Sequence, residues 1–300
     1  MENAGVYDGT ALPFIPAPTY HACRSRISRG QLWTLHRKSP AHLKAELDNP
    51  KPPTQAMLRG SAMHTAVLEP ARFLAEYLVP SDVVLACDRR TKDGRALFDE
   101  WLARAKAEKR VPLGWDPEEG RFYREDVVTV LTVAEKLARD PSLSRLLREG
   151  EGQTEATYCW DEDRSRFRVR FDRVNRTRAG WIAIDLKSSS DARLGAMQRS
   201  LVDYGLHFQA GMYSDGFKAC RDEELRGFYF LVYETEPPYA HAFFRSSEDV
   251  LEAGRFEYRA AVAALRVCQE TDQWPGYEAL GIQTLKLPTW YANKIGSEIT

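Results

Sequence analysis

The stretch that decides the fold is Trp181-Ile182-Ala183-Ile184-Asp185-Leu186-Lys187. It is short and rich in β-branched residues, which reads as a strand. Side chains of a strand point alternately to its two faces. Asp185 and Lys187 therefore share one face, about 7 Å apart along the chain, and Ile182, Ile184 and Leu186 share the other. The apolar face is ready to receive a helix. The other face carries a carboxylate and an ammonium at the end of an apolar strand, and burying either charge alone is costly. A metal cation and a polyanion would give each a partner. D-x-K is a short pattern, however, and a surface salt bridge of little worth would also produce it. The surrounding sequence has to decide.

The preceding strand spans Phe167–Val174. Phe167, Val169 and Phe171 alternate with Arg168, Arg170 and Asp172. Pairing as a hairpin around a turn at Asn175–Gly180 would bring Asp172 and Asp185 to the same end. Two converging carboxylates do not both ionise comfortably without a cation between them. Mg2+ or Mn2+ suits such a place: it takes oxygen ligands, keeps water and leaves room for phosphate oxygens. Lys187 would position or deprotonate the attacking water and stabilise charge in the transition state, with one or two metals at the site. From Arg164 to Arg178 the chain carries seven arginines and one acid, Asp172. The guanidinium fork suits phosphate, so Arg168, Arg170, Arg173 and Arg176 are candidate DNA contacts. A solvated hairpin face is the plain alternative.

Further upstream a helix is expected over Gln55–Leu68, ending before Pro70. It contains Gly60-Ser61-Ala62-Met63-His64. Gly60 and Ala62 would permit close packing, and a neutral imidazole at His64 would complete a metal shell. Alone, such a histidine fits core or surface packing equally well. Downstream, a helix over Asp203–Ala219 puts Gln209 and Tyr213 on one face. Gln209 could hold a phosphate oxygen or the attacking water, and Tyr213 could stack on a base or bond phosphate. A half-buried tyrosine on an amphipathic helix is the alternative.

The remaining pattern is that of an α/β protein. Residues 28–47 read as a helix capped by Ser28 and interrupted at Pro40. Asp48–Thr54 reads as a loop, and 71–78 as a short helix. Stretches 94–108 and 121–138 have helical periodicity, with Val127, Leu131, Ala134 and Leu137 on one side. Thr154–Trp160, Gly227–Glu234 and Ala240–Arg245 read as strands. Pro237-Pro238 reads as a turn, and 248–271 as a long helix. The expected organisation is a loose arm over 1–24 and a single domain over 25–300, with a helical insertion at 88–150 and an irregular tail at 273–300. The net charge of −1 excludes a polycation, so any nucleic-acid surface is local. The five cysteines are scattered without a CxxC pair, against a zinc ribbon or iron–sulfur cluster. No apolar run reaches the roughly 20 residues of a membrane helix, and no leader pattern is present. The expectation is a cytoplasmic protein with reduced thiols and no membrane association.

Several stretches together resemble the RecE family (exonuclease VIII type) of the PD-(D/E)XK nucleases, from about residue 25 to the end. They are LRGSAMHTAVLEPARFLAEY, TEATYCWDEDRSRFRVRFDRV, IAIDLKSSSDA, YGLHFQAGMYSDGF, FLVYET and LPTWY. The resemblance implies a restriction-endonuclease-like core, a central mixed sheet flanked by helices. It implies His64, Asp172 and Asp185 as metal ligands and Lys187 as the catalytic lysine. Glu155 would contact the water or stand behind the ligands, and Gln209 and Tyr213 match the family's helix motif. It further implies Mg2+-dependent, 5′-to-3′ digestion of linear double-stranded DNA leaving 3′ overhangs. A RecT-like single-strand annealing protein would be the partner, in a phage or prophage setting. A homo-oligomeric ring, a tetramer, would encircle the DNA. Three other readings stand beside this one: a RecB-like nuclease acting on single strands or internally, a DNA-binding recombination factor without catalysis, and a purely structural or interaction protein in which the arginine run and the His–Asp–Asp–Lys set are coincidence.

Overall fold

The computed structural model describes residues 19–20, 23, 25–163 and 165–299. Most of the arm expected over 1–24, and Arg164, lie outside the described residues. In chain order the elements are β1 (Ile27–Ser28), α1 (Arg29–Arg37), α2 (Pro40–Asp48), α3 (Gln55–Leu68), α4 (Pro70–Glu76), β2 (Tyr77–Leu78), α5 (Asp82–Ala86) and α6 (Lys92–Ala107). Then come β3 (Val111–Pro112), β4 (Trp115–Asp116), β5 (Arg121–Phe122), α7 (Arg124–Arg139) and α8 (Pro141–Arg148). The second half holds β6 (Gly152–Glu162), β7 (Ser165–Thr177), β8 (Gly180–Ser189), α9 (Leu194–Asp203), α10 (Leu206–Arg221), β9 (Gly227–Glu234), β10 (His241–Arg245), α11 (Glu248–Thr271) and α12 (Thr289–Ile299).

The centre is a six-stranded mixed sheet. β7 pairs with β6 along one edge, antiparallel. Its other edge is shared: β1 pairs parallel at Phe167 and Arg168, and β8 pairs antiparallel from Arg173 to Thr177. β8 then pairs parallel with β9, and β9 antiparallel with β10. The β7–β8 hairpin turns over two residues, Arg178 and Ala179. That is tighter than the six-residue turn expected, because Thr177 takes the Ala179 amide at 3.2 Å and donates to the Gly180 carbonyl at 2.9 Å.

Helices cover both faces. On one, α1, α10 and α11 bury Leu32, Phe208, Phe217 and Tyr258 against Tyr158, Phe171 and Phe230. α10 and α11 cross where both are glycine: a Cβ on Gly254 would lie 1.9 Å from the His207 carbonyl oxygen. On the other face, α3, α7 and α8 pack on Ile182, Ile184 and Leu186. The segment expected as a helical insertion is thus two things. α7 and α8 complete a core layer through Val127, Val130, Val133 and Leu143, with Leu131 turned outward. α6 instead joins Phe98 and Trp101 to Leu78 and Val84 in a smaller cluster. The tail is also more ordered than expected, with a 3-10 turn at Tyr277–Leu280 and α12. Among the described residues no helix is long and apolar enough to cross a membrane, and the five cysteines are free thiols.

Candidate active site

The β7–β8 ladder is the frame of the site. Its last pair is Arg173 with Ile184, so the next position along would set Asp172 against Asp185. There the ladder stops, and the Asp172 carboxylate takes the place of a backbone acceptor: the Leu186 amide donates to Asp172 Oδ2 at 2.7 Å. The other side of β7 is distorted at the same point. Thr154 pairs with Arg173 and Ala156 with Phe171, but Glu155 makes no ladder pair. Its φ of 53° is left-handed, a conformation uncommon outside glycine and enriched at functional sites. The face alternation of β7 slips there too. Phe167, Val169 and Phe171 enter one core layer, and so does Val174.

This distortion collects ligand-type atoms. His64, Glu155 and Asp172 each offer one within 4.8 Å of the others. His64 Nδ1 lies 3.4 Å from Asp172 and 3.8 Å from Glu155. Asp185 stands beside this group, outside it. Its Oδ1 accepts from Gln209 Nε2 at 2.5 Å, and Lys187 Nζ lies 2.5 Å from Oδ2. Buried Oδ2 is thus ion-paired with Lys187. Glu155, expected to contact the water or stand behind the ligands, is in the tight group. Asp185, expected as a ligand, is held by Gln209 and Lys187.

The electrostatics show a site that demands positive charge. Burial works to lower the His64 pKa, but Asp172 and Glu155 override it and push it up to about 10. Burial also opposes ionisation of Asp172, yet His64, Lys187 and the Leu186 amide hold its carboxyl below the usual range. Asp185 goes the other way: burial and the Asp172 charge raise it despite Lys187. In this arrangement the imidazolium stands where a cation would serve. One imidazole and the Glu155 and Asp172 carboxylates form a donor set that fits a divalent, oxygen-preferring metal such as Mg2+ or Mn2+.

His64, Lys187 and Gln209 line a cleft of about 670 Å³. Ala56, Gly60 and His64 line it as successive turns of one face of α3, and Ser188, Ser189 and Ser190 continue from Lys187. Gly60 does not serve close packing, because a Cβ there would meet nothing within 4 Å; Ala62 is the buried one. Sequence reasoning misses two cleft residues, Arg29 and Arg59. Arg59 is held by Asp126 at 3.0 Å. Their only sequence signal is proximity to the Ser28 cap and to Gly60.

The arginine run needs correction. Arg168 and Arg173 are buried, at 5% and 4% exposure. Arg168 donates to the Tyr20 carbonyl, and Arg173 to the Glu149 carbonyl at 2.9 Å. Arg170 pairs with Glu155. Arg176 is exposed and pairs with Glu151 at 3.2 Å. Arg166 and Arg178 are also exposed. Tyr213 likewise is 8% exposed and edge-on to Phe171. Burial raises its pKa well above the ordinary value, and its ring is not available to stack on a base. Gln209 bonds Asp185, so it orients that carboxylate.

Comparison with known proteins agrees with this architecture. The family model described as "PDDEXK-like domain of unknown function (DUF3799)" matches residues 30–286. A crystal structure from Eubacterium rectale, described as "Putative exonuclease", is 10% identical, covers 92% of this chain and 96% of its own, and superposes with a TM-score of 0.57. It shows a shared fold. A second solved structure, SSO0001, is 13% identical over 70% of this chain and 88% of its own, with a TM-score of 0.27 that carries no argument. No curated protein matches the sequence.

Proposed function

This chain belongs to the PDDEXK-like family (DUF3799), and on that premise we propose that it is a divalent-metal-dependent exodeoxyribonuclease. The observation that carries the reading is that His64 of the His64–Glu155–Asp172 group and Lys187 of the Asp185–Lys187 pair line one cleft. His64, Glu155 and Asp172 would hold Mg2+ or Mn2+, with Asp185 beside them held by Gln209 and Lys187. Bound there, the metal supplies a polarised water and charge neutralisation for a phosphodiester. Lys187 orients that water and offsets the charge that builds on the phosphate. Gln209 fixes Asp185, and Arg170 fixes Glu155. Arg59, Ser188 and Ser190 supply donors for phosphate oxygens along the cleft.

The finer reading is that the enzyme degrades linear double-stranded DNA from 5′ ends and leaves 3′ overhangs for a RecT-like annealing protein. It would act in the cytoplasm, as a tetrameric ring around its substrate. The motif resemblance supports this, and the description of a structure of like fold as "Putative exonuclease" supports exonucleolytic action alone. Of the four arginines expected to contact DNA, Arg168 and Arg173 are buried and Arg170 is held by Glu155, so a channel would have to be lined largely by other basic groups. The test is incubation of the purified protein with linear and covalently closed duplex DNA, in Mg2+ and in EDTA. Loss of the linear DNA alone, in Mg2+ alone, is expected. Nicking of the circle would favour an endonuclease. Binding without cleavage would favour a non-catalytic recombination factor.

A further inference from the structure

Tyr204 ends α9 at the mouth of the cleft and lines it with His64, Lys187 and Gln209. It is 66% exposed, although it is a large aromatic. The backbone beneath it is fixed from several sides. Arg29 donates to the carbonyls of both Tyr204 and Gly205, the latter at 2.6 Å. The Tyr204 amide is bonded to Ser200 at 3.1 Å, and the Gly205 carbonyl receives Gln209 at 3.0 Å. Gly205 is left-handed, with φ 62°, and a Cβ on it would stand 2.5 Å from the Trp33 ring. The Arg29 guanidinium lies over that same ring, 5.4 Å from its centroid.

A turn held this firmly, with its aromatic ring left in water, contributes little to the core through that ring. It presents a flat apolar surface at a fixed place beside the charged groups that would receive a phosphate. The partner that brings a phosphate and a flat apolar face together is a nucleotide. We infer that Tyr204 is the platform on which one base of the substrate strand stacks next to the scissile phosphate. The inference rests on the nuclease reading and deepens it. It gives the substrate-contacting aromatic role, expected of Tyr213, to a residue whose ring is free to take it. Stacking of this kind tolerates any base because each has a π face, and losing the aromatic weakens binding by about five- to 150-fold. The site should therefore tolerate any base at the stacked position and discriminate against a missing one.

The experiment uses the full-length protein and a short linear duplex, intact or with an abasic nucleotide at successive positions from each end. Binding is measured in EDTA, and kcat and KM in Mg2+. For the wild type, an abasic nucleotide at one position should weaken binding and raise KM about tenfold. Tyr204→Ala should show that weakening on intact DNA and no further penalty at that position, with kcat changed less than KM. Tyr204→Phe should behave as wild type. So should Val202→Ala, on the same helix, 61% exposed and outside the cleft. If Tyr204→Ala binds intact DNA as wild type does, or if the two losses simply multiply, the stacking role is overturned. If the wild type neither binds nor cuts any duplex, the nuclease reading itself falls and takes this inference with it.

Discussion

Asp172 and Asp185 share one electrostatic field and are driven apart by it. Burial acts on both, but His64 keeps Asp172 ionised, while Asp185 is raised by burial and by its neighbour's charge. This split predicts different phenotypes. Lys187→Ala removes a group that acts on the reacting phosphate, so cleavage should fall by about 10²-fold or more while Mn2+ binding, read by calorimetry, persists. Asp172→Asn should abolish both. Gln209→Leu leaves Asp185 Oδ1 without its donor, and such loss of an outer partner typically lowers metal affinity or activity about 10–100-fold; unchanged Mn2+ binding and turnover would refute that role. Asp172, Asp185 and Lys187 are legible in the sequence because a charge that interrupts an apolar strand is costly to bury unless a partner of opposite charge meets it. Glu155 is legible only as a candidate, since its place in the group depends on a left-handed backbone and a slipped strand that no local pattern announces. The arginines mislead for a related reason. An alternating run looks the same whether it meets solvent or, like Arg168 and Arg173, runs back into the protein to bond backbone carbonyls.

Among elements, those with caps and clear periodicity follow the sequence reading closely. α3 has the bounds expected, opened by Thr54 accepting from the Met57 amide, and Ser28 forms a reciprocal capping box with Gln31. α8 and α9 are not legible. α8 is only eight residues long. α9 follows a serine run, has no side-chain cap, and commits only Met197 to the core. The face of α3 toward the cleft gives a prediction at this scale. Gly60 sits inside a helix with open space beside it, so Gly60→Ala should stabilise the protein by up to about 1 kcal/mol, seen as a raised Tm. Gly60→Leu should fold as well yet raise the KM for DNA by filling the cleft. A wild-type KM in Gly60→Leu would mean that substrate does not pass along this face.

At the scale of the molecule, the two helical layers clamp a sheet whose β7–β8 ladder ends at the site. The fold class is legible because helices, then a strand meander, then helix and strands admit few arrangements. The partition of residues 88–150 between a core layer and a side cluster is not, because one amphipathic face does not say which surface will cover it. Since the cluster gathers buried carboxylates that demand positive charge, a bound cation should stabilise the whole fold. At a hundredfold excess over its Kd the gain is about 2.7 kcal/mol, so saturating Mn2+ should raise the wild-type Tm and leave that of Asp172→Asn unmoved. The most direct test is anomalous diffraction from crystals of Lys187→Ala grown with Mn2+ and a short linear duplex. The predicted result is a manganese peak among His64, Glu155 and Asp172, with a DNA phosphate against it in the cleft. A peak elsewhere with none at this group, or DNA bound away from the cleft, would contradict the account.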